Sequence, residues 1–289
     1  MTTTHTSSSE QTTVSAHITL QTLRQLKKSQ TPIAMLTAYD YPTAKLMAAA
    51  GVDILLIGDS VATTVLGEDS TVTATMELLL VLTRAVRRAA PQTFVMADMP
   101  FASYPDVSTA VANASRFVRE AGADCVKLES DIRHREIVTA MSAAGIVTCA
   151  HIGLLPQRAA QQGGYVAQGR TPAEAQRLVN EAVELAQAGA HLLLIEAVPD
   201  EVTAEVQTRL STMGLDHIPV LGCGGGTSAD GHVLVSYDML GYNARAPRFV
   251  ERYGDVASAI QDAAHRYVEA VKTRAYPASH HLYRMKSAD

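Results

Sequence analysis

Residues 48–59 read AAAGVDILLIGD, and this stretch decides the fold. An alanine-rich helix end meets Gly51, a residue type that adopts the left-handed conformation closing a helix at little cost. The apolar run Ile54–Gly58 follows and stops at Asp59. The same grammar returns in REAGADCVKLE at 119–129 and QAGAHLLLIE at 187–196, with a looser copy, AAGIVTCAH, at 143–151. A run of about five apolar residues has the length of a strand buried on both faces. Phe94–Ala97 is another such run, so Asp59, Asp98, Glu129 and Glu196 each stand at the end of one. In parallel α/β folds ligands gather at the carboxyl ends of strands, and the four acids are therefore expected on one rim.

Working outward, strands are expected at Ile33–Leu36, Ile54–Gly58, Phe94–Ala97, Cys125–Leu128, Val147–Ala150, Leu192–Ile195, Pro219–Gly222 and Val233–Ser236. Helical patterns separate most of them, near 18–28, 41–50, 74–89, 108–121, 132–144, 171–188 and 200–213. Eight strands with intervening helices match the size of a (β/α)8 barrel, with a doubly wound sheet as the other option. The run MELLLVLTRAVRRAA, from Met76, is apolar on most of its circumference and predicts a well-buried helix. The expected organisation is a Thr/Ser-rich disordered tail over 1–16, one catalytic barrel over 17–274 and a C-terminal tail over 275–289.

At 289 residues, 47% hydrophobic and 18% charged, the chain can bury one large core. Its net charge of −5 and scattered basic residues argue against a nucleic-acid footprint and favour a small-molecule ligand. Cys125, Cys149 and Cys223 lack metal-type spacing and read as reduced core thiols of a cytoplasmic protein. No stretch approaches the roughly 18 to 20 apolar residues that span a bilayer, and no signal-peptide pattern opens the chain.

Asp59, Asp98 and Glu129 offer oxygen donors from successive strand ends, the ligand type a hard cation such as Mg²⁺ prefers. An acid in that place can equally cap a helix, and Asp98, before Met99-Pro100, is the clearest such case. Lys127 and Glu129 are two residues apart and so face the same side of a strand. Buried there, they are costly unless used or paired. The lysine can hold an anionic substrate or make a structural ion pair. His151 can donate to a substrate oxygen or sit satisfied in the core. Glu196, between apolar residues and Ala197-Val198-Pro199, has dry surroundings that raise its proton affinity and suit a general base. Gly222–Gly226, reading GCGGG, matches neither dinucleotide-binding nor P-loop spacing.

Ten ordered motifs carry a resemblance to one family. They are TAYDYPTAKL (37–46), GVDILLIGDS (51–60), VLGEDST (65–71), TRAVRRAAP (83–91), ADMPFASY (97–104), VKLE (126–129), HIGLLPQ (151–157), GGYVAQGR (163–170), IEAVP (195–199) and DGHVLVSYDMLG (230–241). In these motifs the chain resembles the ketopantoate hydroxymethyltransferases. The resemblance implies a (β/α)8 TIM barrel of the phosphoenolpyruvate/pyruvate-like superfamily, Mg²⁺, and 5,10-methylenetetrahydrofolate as co-substrate. It implies hydroxymethyl transfer to 3-methyl-2-oxobutanoate through a Mg-stabilised enolate, giving 2-dehydropantoate, and a homo-oligomer, a decamer in the family. By motif match, Asp59, Asp98 and Glu129 surround the metal. Asp59, Ser60, Asp98, Lys127 and His151 contact the oxo acid, and Glu196 accepts the proton.

The chain also departs from the family pattern. Ser130-Asp131 replaces a Gly-Gly pair, Glu68 stands where a histidine is usual, and Tyr237 replaces another histidine. Asp131 and Glu68 are expected to add negative charge near the site. A Mg-dependent aldol-type addition using a different 2-oxo acid or electrophile is the alternative enzymatic reading, and a non-catalytic barrel is a third.

Overall fold

The computed structural model describes residues 17–243 and 245–286. The expected N-terminal tail lies outside the described residues. Eight parallel strands close a barrel in sequence order: β1 Ile33–Thr37, β2 Ile54–Ile57, β3 Phe94–Asp98, β4 Cys125–Glu129, β5 Thr148–Gly153, β6 Leu192–Glu196, β7 Val220–Cys223 and β8 Gly231–Leu234. The connecting helices begin with capping side chains, among them Asp40, Thr75, Asp106 and Thr171, each accepting a main-chain N–H of the first turn. Gly122, at φ 73°, ends the helix Val107–Ala121 in the left-handed conformation its sequence predicts.

Alternation along the strands fixes what points inward. Ile33 and Met35, Ile54 and Leu56, Phe94 and Met96, Leu192 and Leu194, with Cys125, Cys149, Leu221, Cys223 and Val233, form one buried cluster inside the barrel. Leu23, fully buried on the helix Leu20–Lys28, joins it. Continuing each series by two residues reaches Asp98, Lys127, Glu129, His151 and Glu196, so the side chains of interest form the next layer of the same interior. The alternate residues, such as Leu55, Val95, Val126 and Leu193, are also buried, which explains why the strands read as unbroken apolar runs. All three cysteines are buried and outside any disulfide, and burial pushes the Cys149 thiol up to about 12.

Three expectations need correction. β5 runs on through His151 to Gly153, so the histidine lies within the strand. β8 begins two residues before the expected Val233, at Gly231, where a Cβ would stand 2.3 Å from the Ile33 carbonyl oxygen. That close approach demands glycine, a residue that reads as a turn in sequence. The helix Met76–Ala89 buries one face only, through Leu79, Leu80, Thr83 and Val86, while Val81 is exposed. The chain divides into two compact units after Val233.

The second unit contains a short helix, Ser236–Met239, and a long one, Val256–Lys272. Tyr237 stacks on Tyr242 with ring centroids 4.3 Å apart. No residue of Val256–Lys272 is buried. Among the described residues no helix is long and apolar enough to cross a membrane.

Candidate active site

Asp98, Lys127, Glu129, His151 and Glu196 lie on adjacent strands at one mouth of the barrel. Register sets Asp98 beside Lys127, and Glu129 beside His151. Asp59 follows β2 by two residues, and its main-chain N–H donates to Asp98 Oδ2 at 3.3 Å. Asp59, Asp98 and Glu129 are 6%, 1% and 1% exposed. None of the three is the cap of a helix. Each carboxylate is instead held by groups from neighbouring strands or loops.

The Lys127 ammonium lies 2.8 Å from Asp98 Oδ1 and faces His151 Nδ1 at 3.4 Å. Burial alone would favour neutral lysine, but the charges of Asp98, Asp59 and Glu129 outweigh it and hold the ammonium form well above the usual range. His151 moves the other way: burial, then the nearby ammonium, keeps its imidazole neutral. Lysine only donates, so Nδ1 must accept and the imidazole proton resides on Nε2. That atom stands 3.2 Å from Glu196 Oε2.

Glu196 has its carboxylate raised to about 7, chiefly by burial and partly offset by Lys127. Its side chain is nevertheless 17% exposed, more than that of Asp98 or Lys127 at 2% and 6%. The dry setting expected from its sequence neighbours is therefore only partial: they face the core, while the carboxylate opens to the mouth. The next residue, Ala197, adopts φ 48°, and Gly153 adopts φ 94° against the same strand end. A Cβ on Gly153 would lie 2.3 Å from the Glu196 carbonyl oxygen. Gly153→Ala is accordingly expected to cost at least about 1–2 kcal/mol for the left-handed backbone alone, and to displace Glu196. Chemical unfolding and turnover, measured on the same preparation, check both effects.

Ser60, the remaining predicted contact, bonds through Oγ to Tyr39 OH at 2.8 Å. Burial raises the Tyr39 phenol to about 12, so it stays protonated. Glu68 is exposed. Asp131 does not add uncompensated charge, contrary to expectation. Its carboxylate accepts from Arg133 at 2.5 Å and Arg158 at 2.6 Å and lies 3.0 Å from His134 Nδ1. Although partial burial opposes ionisation, these bonds hold the acid far below the usual carboxylate range.

Two site residues carry no obvious sequence signal. Gln157, in the 3₁₀ turn Pro156–Arg158, donates from Nε2 to Asp59 Oδ2 at 2.8 Å and from its main chain to Glu129 Oε1 at 2.9 Å. Tyr104 donates to Gln157 Oε1 at 2.8 Å. Gln157 closes the motif HIGLLPQ, as the first polar residue after the run Ile152–Pro156, and Tyr104 closes ADMPFASY, but neither motif gives them a role.

The sequence profile described as ketopantoate hydroxymethyltransferase matches residues 17–279. The chain belongs to the ketopantoate hydroxymethyltransferase family. Within it, the 3-methyl-2-oxobutanoate hydroxymethyltransferase of Bacillus subtilis (strain 168) is 43% identical over 263 residues, covering 90% of this chain and 93% of that protein. The enzyme of the same name from Thermus thermophilus is 44% identical over 252 residues, covering 87% and 94%. Solved structures share the family's barrel at much lower identity. Phosphonopyruvate hydrolase, in complex with oxalate and Mg²⁺, aligns at TM-score 0.57 and 15% identity over 92% of each chain. The 2,3-dimethylmalate lyase, a member of the PEP mutase/isocitrate lyase superfamily, aligns at 0.58 and 16%, covering 86% and 87%.

Proposed function

We propose that this family member transfers a hydroxymethyl group from 5,10-methylenetetrahydrofolate to 3-methyl-2-oxobutanoate, giving 2-dehydropantoate on the route to pantothenate. The observation that carries the reading is the chain of contacts from Asp98 through Lys127 and His151 to Glu196, at the mouth of a barrel from this family. It couples an acidic cradle to a base.

The acids suit a divalent cation. Glu129 Oε2 is buried with no hydrogen-bond partner. Burial and mutual repulsion raise Asp59 to about 7 and Glu129 well above its usual range. A cation among them relieves both costs, and an all-oxygen set favours Mg²⁺. Among the described residues no three acid, histidine or cysteine side chains converge tightly enough to enclose an ion by themselves. Asp59 and Asp98 would hold it with Glu129 in support, leaving positions for substrate oxygens or water. Bound there, the cation supplies a Lewis acid that favours loss of the proton next to the oxo group.

The protein's own groups supply the rest. Lys127 and Ser60 would receive the substrate carboxylate, and the Nε2–H of His151 would donate to substrate oxygen. Glu196 removes the C3 proton, and the resulting carbon nucleophile bonds to the methylene carbon carried by the folate. Both C–N bonds of that methylene break and one water supplies the hydroxyl oxygen, so tetrahydrofolate leaves with one proton from C3 and one from water on its two nitrogens. The alternative use of another 2-oxo acid draws less support, because Arg133 and Arg158 neutralise Asp131.

Because Glu196 acts as the carboxylate, C3 proton abstraction should rise with pH through about 7 and level off above it. A pH profile rising as pH falls through that range would contradict its role as base. Methylenetetrahydrofolate labelled with ¹³C at the methylene tests the whole reading. With 3-methyl-2-oxobutanoate and Mg²⁺, the label should appear in the hydroxymethyl carbon of 2-dehydropantoate. Labelled product only from a different 2-oxo acid would support the alternative.

A further inference from the structure

Gln157 lies outside the strands that bear the acids, yet it reaches three of their ends at once. Its Nε2 donates to Asp59 Oδ2 at 2.8 Å and to the Met99 carbonyl at 2.9 Å, and its main-chain N–H donates to Glu129 Oε1 at 2.9 Å. A side-chain amide could sit either way round. Here the Asp59 carboxylate and the Met99 carbonyl can only accept, so the NH₂ group faces them, and the Tyr104 hydroxyl, donating to Oε1 at 2.8 Å, holds the amide that way round. At 6% exposure, with both amide hydrogens engaged, Gln157 has no spare donor for a substrate.

The turn bearing Gln157 is braced separately. Arg158 donates to Asp131 Oδ2 at 2.6 Å and lies 2.8 Å from His134 Nε2. His134 in turn meets the Tyr104 ring edge-on, with centroids 5.9 Å apart. Asp59 and Glu129 are therefore both held from this one turn. One oxygen of Asp59 and one of Glu129 are occupied by Gln157, while Glu129 Oε2 remains buried and unbonded.

We infer that Gln157, oriented by Tyr104, is a positioning residue: it fixes which carboxylate oxygens of Asp59 and Glu129 face a bound cation. The inference rests on the cation-cradle reading above. A donor on one carboxylate oxygen fixes the plane of the group and leaves the other for the ion. Losing such an outer partner commonly costs a metal site roughly 10- to 100-fold in affinity.

Mn²⁺ binding followed by electron paramagnetic resonance, together with C3 proton exchange of 3-methyl-2-oxobutanoate across a Mn²⁺ titration, tests this. Gln157→Leu keeps most of the volume and removes the side-chain donors, while Tyr104→Phe removes only the orienting hydroxyl. Gln157→Leu should weaken Mn²⁺ binding roughly 10- to 100-fold, with Tyr104→Phe moving the same way by less. Exchange lost at low Mn²⁺ should return at saturating Mn²⁺ in both. Parent-like Mn²⁺ affinity in the variants, or lost exchange that no Mn²⁺ concentration restores, would overturn the inference. If Gln157→Leu does not fold, Tyr104→Phe decides. If the parent binds no Mn²⁺, the cradle reading fails and takes this inference with it.

Discussion

Glu196→Gln should reduce C3 proton abstraction from 3-methyl-2-oxobutanoate by roughly 10²- to 10⁴-fold, the range over which a positioned general base contributes. The substitution preserves size and removes the proposed proton acceptor. His151 is kept neutral with its proton on Nε2, and its other nitrogen faces the Lys127 ammonium, so it cannot substitute as base. The amide oxygen can still face Nε2, which stands 3.2 Å from the parent carboxylate, and the fold should be undisturbed. Metal affinity should change little, because Glu196 lies beyond the acid cradle. A variant that exchanges C3 at the parent's rate would remove Glu196 from the mechanism.

The second large effect concerns Lys127. It lies 2.8 Å from Asp98 Oδ1, with both side chains almost wholly buried. Lys127→Met leaves Asp98, Asp59 and Glu129 without their buried counter-charge. Removing one partner of such a pair costs about 3–5 kcal/mol. For a chain of this size the melting temperature should fall on the order of 10 °C. Excess Mg²⁺ should restore part of that stability by replacing the missing positive charge, but not the catalysis, which needs a cation beside the substrate carboxylate and behind His151. Calorimetry with and without Mg²⁺ measures this. A variant melting with the parent in chelator would show that Lys127 does not balance the acids.

The barrel is legible in sequence because βα folds write themselves locally. The pattern around Gly51, Gly122 and Gly189 repeats helix end, turn and buried strand within about a dozen residues. Period-two alternation then places Lys127 with Glu129 and adds Asp98 and Glu196 to the same interior. The start of β8 is hidden because the contact that defines it, Gly231 against the backbone of Ile33, joins opposite ends of the barrel sequence. Gln157 is invisible for a related reason: a glutamine after a proline gains its role only when the turn folds across the ends of β2, β3 and β4. The charge of Asp131 misleads because Arg158, one of the residues that cancels it, lies 27 positions away. Local sequence shows Asp131 and its near neighbour Arg133, but only tertiary packing brings Arg158 to the same carboxylate.

In the proposed mechanism the acid cradle and Glu196 jointly break the C3–H bond before any one-carbon unit is involved. Proton NMR of 3-methyl-2-oxobutanoate in D₂O, with enzyme and Mg²⁺ but no folate, addresses it directly. The C3 resonance should disappear, and its neighbouring methyl doublet collapse, at a rate that depends on Mg²⁺. Retention of the C3 proton at the uncatalysed rate, in a preparation that still makes hydroxymethyl product when the folate is added, would contradict it.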